Sequence, residues 1–211
     1  ADLVTYLPRC PEVAARSYAK MSNLPFEPVF YKMRGERSFQ GSNADERKES
    51  IGQNLHLLPG MAQKIKGKTV ILLDDSIVRG NNSKRARDLL YEEAGVEKAY
   101  LVSYTPPIGI IGDDGVPRGC TFGVDMPPDP PPGDEFIARN RTVTEVGQAM
   151  KMPVVYLSME GMLKAFERAG LPERDLCTFC IGGRMPYEGA ESLIQIGEKP
   201  QMDLLAGLKA G

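Results

Sequence analysis

Residues 69–83 constrain this chain more than any other stretch. Thr69 to Leu73 reads TVILL, apolar and β-branched with no polar alternation. A strand of that kind is covered on both faces, as in a parallel sheet flanked by helices. It runs straight into Asp74-Asp75 and then into Ser76-Ile77-Val78-Arg79-Gly80-Asn81-Asn82-Ser83. A helix is expected over Lys84 to Glu93, stopped at Ala94-Gly95. Ala99 to Tyr104 then supplies the next strand. The three pieces form a β-α-β unit, whose crossover brings the carboxyl end of the strand beside the amino end of the helix.

The rest of the chain continues this alternation. Leu3 to Leu7 and Val29 to Lys32 read as short strands, and Pro11 to Met21 as a helix opened by proline. Arg34 to Asp45 is polar and glycine-bearing and reads as a mobile loop; Arg47 to Leu58 has weak helical spacing. Met126 to Gly133 packs five prolines into eight residues and is read as a stiff surface linker or inserted loop. Beyond it the expected order is a short helix (Glu135 to Asn140), a second (Thr144 to Met150, capped by Thr144), the strand Val154 to Leu157, and a helix from Ser158 to Ala169. Strands alternating with helices make the fold class α/β with a mainly parallel sheet.

Composition narrows the function classes. The 211 residues carry 26 basic and 28 acidic side chains. A net charge of −2 gives no electrostatic footprint for a nucleic-acid coat or an anionic membrane surface. Apolar runs of about four residues are too short to span a bilayer. The chain opens at Ala1 with no basic-then-apolar leader, so a cytoplasmic protein, cut from something longer, is expected. With one histidine, His56, read as structural, there is little material for a Ser-His-Asp triad. Met150, Met152, Met159 and Met162 read as core filler.

The chemistry sits in the strand–turn–helix. The strand delivers Asp74 and Asp75 to the sheet edge where α/β proteins bind ligands. The small polar loop and the helix start aim backbone N–H groups and a positive dipole end at the same cup, which suits a phosphate monoester. Arg79 is expected to add a counter-charge at the rim. Carboxylates suit hydroxyls, or a Mg²⁺ held between hydroxyls and a second phosphate. A phosphorylated sugar satisfies both halves. The rival nucleotide sites lack their motifs: neither G-x-x-x-x-G-K-[ST] nor G-x-G-x-x-G occurs.

The stretch VILLDDSIVRGNNSK resembles the phosphoribosyl pyrophosphate (PRPP) signature of type I phosphoribosyltransferases, in the version of the glutamine PRPP amidotransferases. Asp2-Leu3-Val4 with Pro8, Asn23-Leu24-Pro25-Phe26-Glu27, Arg37-Ser38-Phe39, Pro106-Pro107, the segment Cys120 to Pro127, Met159-Glu160-Gly161-Met162 and the run from Cys177 through Pro186 resemble that family in order. The resemblance implies a type I phosphoribosyltransferase fold over residues 1–170, with a flexible loop, and a C-terminal extension over 171–211 packed on it. It implies that ammonia displaces pyrophosphate from PRPP. Asp74 and Asp75 would hold the ribose hydroxyls and help bind Mg²⁺. Ser76, Arg79, Gly80, Asn81, Asn82 and Ser83 would form the 5′-phosphate cup, and Arg37 would meet the leaving pyrophosphate as the loop closes. It also implies a homo-oligomer and a separate or cleaved glutaminase domain. A subset of the family holds a [4Fe–4S] cluster on cysteines to which Cys120, Cys177 and Cys180 correspond; reduced thiols and zinc are the other readings of this C-x-x-C.

The chain departs from the family at several positions. Arg9-Cys10-Pro11-Glu12 replaces a loop built on an acid and small hydroxyl residues, and Pro11 has no N–H to offer a phosphate. Gly52, Gln53 and Asn54 stand where the flexible loop carries basic residues, and Asn81-Asn82 where the cup carries threonines. The alternative these departures raise is a catalytically degenerate module that binds PRPP or a nucleotide.

Overall fold

The structure, a computed structural model, describes residues 1–33, 54–122, 126–187 and 189. The loop expected over 34–45, Arg37, and residues 47–53 of the weak helix lie outside them. Four parallel strands form the main sheet in the order β1-β4-β5-β6: β1 (Leu3–Tyr6), β4 (Thr69–Asp74), β5 (Lys98–Ser103) and β6 (Val154–Tyr156). A separate antiparallel pair joins β2 (Phe30–Lys32) to β3 (Leu55–Leu57). The helices are α1 (Glu12–Ser22), α2 (Met61–Ile65), α3 (Asn81–Asp88), α4 (Val143–Met150) and α5 (Met159–Arg168). No described helix is long and apolar enough to cross a membrane.

The TVILL strand is covered on both faces. Val70 and Leu72 pack with Leu101, Ala86, Leu90, Val146 and Met150 on one side, while Ile71 and Leu73 pack with Val4, Ala15 and Ala19 on the other. Each such fully buried leucine contributes about 2 kcal/mol by removing its surface from water. Register carries this alternation to the end of the strands. Asp74 pairs with Ser103, and Ser103 with Tyr156, so these three side chains share the face of Val70 and Leu72, beneath α3 and α4.

Several expectations are corrected locally. Helix α3 begins at Asn81 rather than Lys84, because Gly80, at φ +77°, turns the chain directly into it. Its last turn widens over Leu89–Glu93, where Ala94 N–H donates to Leu89 O. Thr142, not Thr144, caps α4: its hydroxyl accepts from Glu145 N–H while the Glu145 carboxylate accepts from Thr142 N–H, a capping box. Residues 135–140 carry no helix and only 137–140 form a turn, since Arg139 draws this segment onto three carbonyls, Gly109 O, Pro128 O and Arg118 O, at 2.6–2.7 Å. Leu55–Leu57 is strand where the spacing predicts a helix, paired antiparallel with Phe30–Lys32. Met126 to Gly133 carries no helix or strand.

Candidate functional site

The carboxyl ends of β4 and β5 and the amino end of α3 meet at the acid pair. Asp74 is buried. Ser83 Oγ donates to its Oδ2 at 3.1 Å, and the backbone N–H of Asp75 donates to its Oδ1 at 2.9 Å. Asp75 is half-buried, and its Oδ1 accepts from Ser76 N–H at 2.8 Å. Burial, and then the adjacent charge of Asp75, push the Asp74 carboxyl up to about 8. Two carboxylates forced this close, one out of water, are a site short of positive charge.

The cup lies directly beyond. Gly80 caps α3, and Lys84 N–H is the first to close the helix, onto Gly80 O at 2.8 Å. The N–H groups of Asn81, Asn82 and Ser83 therefore have no intrahelical acceptor and face the cup with the positive end of the dipole. A side chain at Gly80 would meet Met150 Sδ at 2.8 Å and Ile137 Cδ1 at 3.1 Å, on a backbone already in the left-handed region. Ile77 is buried under the loop, and Val78 O accepts from Ile137 N–H at 2.8 Å.

Arg79 is used otherwise than expected. Its Nε lies 2.6 Å from Asp134 Oδ1, and its Nη2 donates to Asp134 Oδ2 at 2.7 Å, in a pair whose side chains are 11% and 8% exposed. The guanidinium is held largely inside the protein by this pair. Asp134 is a residue that sequence reasoning missed. It stands 55 positions away, behind the proline-rich insertion, and no local signal marks it.

Other groups surround the acid pair. Tyr104 N–H donates to Asp74 O at 3.3 Å, and its hydroxyl lies 3.9 Å from Cys10 Sγ in the loop after β1. Burial and the Cys10 contact raise the Tyr104 hydroxyl, with smaller contributions from Asp75 and Asp74. Tyr156, in the Asp74 row, is raised to about 12 by burial and then by Asp74. Lys32 is lowered by burial and by Arg9 and is supported by Asp74. Lys32 thus lies within electrostatic reach of Asp74 and of Arg9, the first residue of the departing loop Arg9 to Glu12, though no motif singles Lys32 out.

The cysteines form a separate neighbourhood. Cys177 is exposed, Cys120 and Cys180 half-buried. Burial, then the charges of Cys120 and Cys177, push the Cys180 thiol up to about 11. Among the described residues no three His, Cys, Asp or Glu side chains converge as a metal-holding group. Cys120 and Cys177 both lie within electrostatic reach of Cys180, and thiolates are the ligands a [4Fe–4S] cluster takes. Near their ends, Phe179, Cys180 and Ile181 pack against Ile108 and Phe136.

No protein-family model matches the chain. The amidophosphoribosyltransferase of Archaeoglobus fulgidus is 32% identical to it over 188 residues, 88% of this chain and 37% of that protein. That of Methanocaldococcus jannaschii is 32% identical over 190 residues, 89% of this chain and 36% of that protein. Among solved structures, the glutamine PRPP amidotransferase of B. subtilis, complexed with ADP and GMP, superposes with a TM-score of 0.66 at 29% identity, over 90% of this chain and 39% of that one. A structure of the allosteric regulatory enzyme of purine biosynthesis gives 0.67 at 29% identity, over 96% and 41%. The chain spans little more than a third of the length of the curated relatives it matches. Sequence and fold together place it with the type I phosphoribosyltransferase portion of the amidophosphoribosyltransferases.

Proposed function

We propose that this chain binds PRPP and transfers its phosphoribosyl group to ammonia, releasing pyrophosphate, as the opening step of de novo purine synthesis. One observation carries the reading: a carboxylate pair, Asp74 buried and Asp75 half-buried, shares the carboxyl end of one strand with an anion cup. PRPP presents hydroxyls to the first and a phosphate monoester to the second.

The 5′-phosphate would sit on the amides at the start of α3, with Ser76, the Arg79 backbone, Gly80, Asn81, Asn82 and Ser83 around it. Asp74 and Asp75 would accept from the ribose hydroxyls. A carboxylate pair short of positive charge fits Mg²⁺, which is commonly held by one or two carboxylates together with substrate oxygens. When bound, Mg²⁺ would neutralise charge on the leaving pyrophosphate. Positive charge develops on the sugar as the C1–O bond breaks, and the Asp75 carboxylate would stabilise it, joined by Asp74 once a bound cation favours its ionised form. The ammonia nitrogen then bonds to C1 and loses a proton, giving phosphoribosylamine. Arg9 and Lys32 would face the departing pyrophosphate, with Arg37 arriving from the loop.

Ammonia would come from solution or from a glutaminase domain, separate or cleaved, working with this one in a cytoplasmic homo-oligomer. Residues 171–211 would act as an extension of the 1–170 domain; the packing of Phe179, Cys180 and Ile181 supports this for its first part. Calorimetric titration with PRPP and Mg²⁺ tests the reading. Saturable binding, weakened about tenfold or more in Asp75→Asn, is expected; undiminished binding in that variant contradicts it.

A further inference from the structure

We infer that Asp134 is a positioning residue for the phosphate cup. The inference rests on the phosphoribosyl reading above and adds a residue to it. The wall of the cup, residues 78–80, is fastened to the segment 134–137 at three successive points. Val78 O accepts from Ile137 N–H at 2.8 Å. Arg79 reaches both carboxylate oxygens of Asp134, at 2.6 and 2.7 Å, and its Nε also donates to the Asp134 carbonyl at 3.1 Å. Gly80 leaves no room for a side chain between Met150 Sδ and Ile137 Cδ1, which a Cβ there would meet at 2.8 and 3.1 Å.

The fork-to-fork geometry fixes the direction as well as the distance of the Arg79 side chain. With that side chain drawn away beneath the loop, its own backbone and that of Gly80 are left turned toward the cup. The pair also cancels a guanidinium charge beside the phosphate site. The cup therefore holds its anion on amide dipoles whose placement depends on Asp134. The proline-rich run Met126 to Gly133 ends one residue before this anchor. Asp134 N–H donates to Pro131 O at 3.0 Å, and Pro128 O is held by Arg139, so the anchor is itself stiffly mounted.

Removing one partner of a buried pair leaves a lone charge and threatens folding, whereas replacing both by apolar residues does not. The test therefore compares Asp134→Asn with the double variant Arg79→Met/Asp134→Leu. Both are assayed for thermal unfolding, amide exchange at residues 80–83, and KM for PRPP and kcat with ammonium as acceptor. The double variant is expected to regain the wild-type Tm yet keep a KM raised about tenfold, with kcat within about threefold of wild type and faster exchange at 80–83. If it regains Tm, KM and slow exchange together, the pair is only a fastener and the inference falls. If Asp134→Asn folds and its KM is unchanged, the inference falls as well. A wild-type chain that neither binds nor turns over PRPP overturns the proposed function itself and takes this inference with it. That outcome is distinguishable from the other two, in which the wild type is active.

Discussion

Asp74 concentrates the chemistry of the site in one group. Its carboxyl is held at about 8, against 3.8 ordinarily, by burial and by Asp75. A carboxyl raised on folding binds its proton more tightly in the folded chain. Stability is then lost as pH climbs from about 4 to about 8. Asp74→Asn is accordingly expected to raise Tm at pH 8, by roughly 1 kcal/mol of stability, and by much less at pH 4, while abolishing detectable phosphoribosyl transfer. Thermal melts of both proteins across that range check the sign; a variant equally stabilised or destabilised at every pH would contradict it. Gly80 is the other telling position. Gly80→Ala forces a Cβ onto φ +77°, at a cost of about 1–2 kcal/mol, and is expected to weaken PRPP binding alongside a lower urea midpoint. Asp74, Asp75 and Gly80 were legible in the sequence because their meaning is local: an acid pair after an apolar strand, a glycine before a helix. The Asp134 contact to Arg79 was not legible, since a pairing across 55 residues leaves no trace in either neighbourhood.

Among the elements, those with a strong pattern were legible. The apolar runs of β4 and β5 fall where the sequence puts them, since a strand buried on both faces has one way to be satisfied. Short elements held from a distance were harder. Leu55–Leu57 shows only three residues of its own, and its strand character comes from Phe30–Lys32. The turn at 137–140 depends on the Arg139 side chain collecting three carbonyls, which no helical periodicity reveals. The start of α4 carries a readable signal of its own: Glu145 stands three residues after Thr142, not after Thr144. Thr142→Ala is expected to cost about 1 kcal/mol in chemical denaturation. It should leave ammonia-dependent turnover unchanged, because Thr142 and Glu145 are both exposed and bond to each other rather than to the acid pair.

At the level of the molecule, the sheet does one job. It carries Asp74, Ser103 and Tyr156 to a single row at its carboxyl edge and sets α3 above that row. Everything proposed about catalysis follows from a carboxylate pair and an amide cup lying side by side there. Steady-state release of pyrophosphate from PRPP, in the presence of Mg²⁺ and ammonium, examines that arrangement as a working unit. The expected result is turnover that saturates with PRPP, depends on ammonium, and disappears in Asp74→Asn. Saturable PRPP binding with no ammonium-dependent pyrophosphate, or pyrophosphate release that survives in Asp74→Asn, would contradict it.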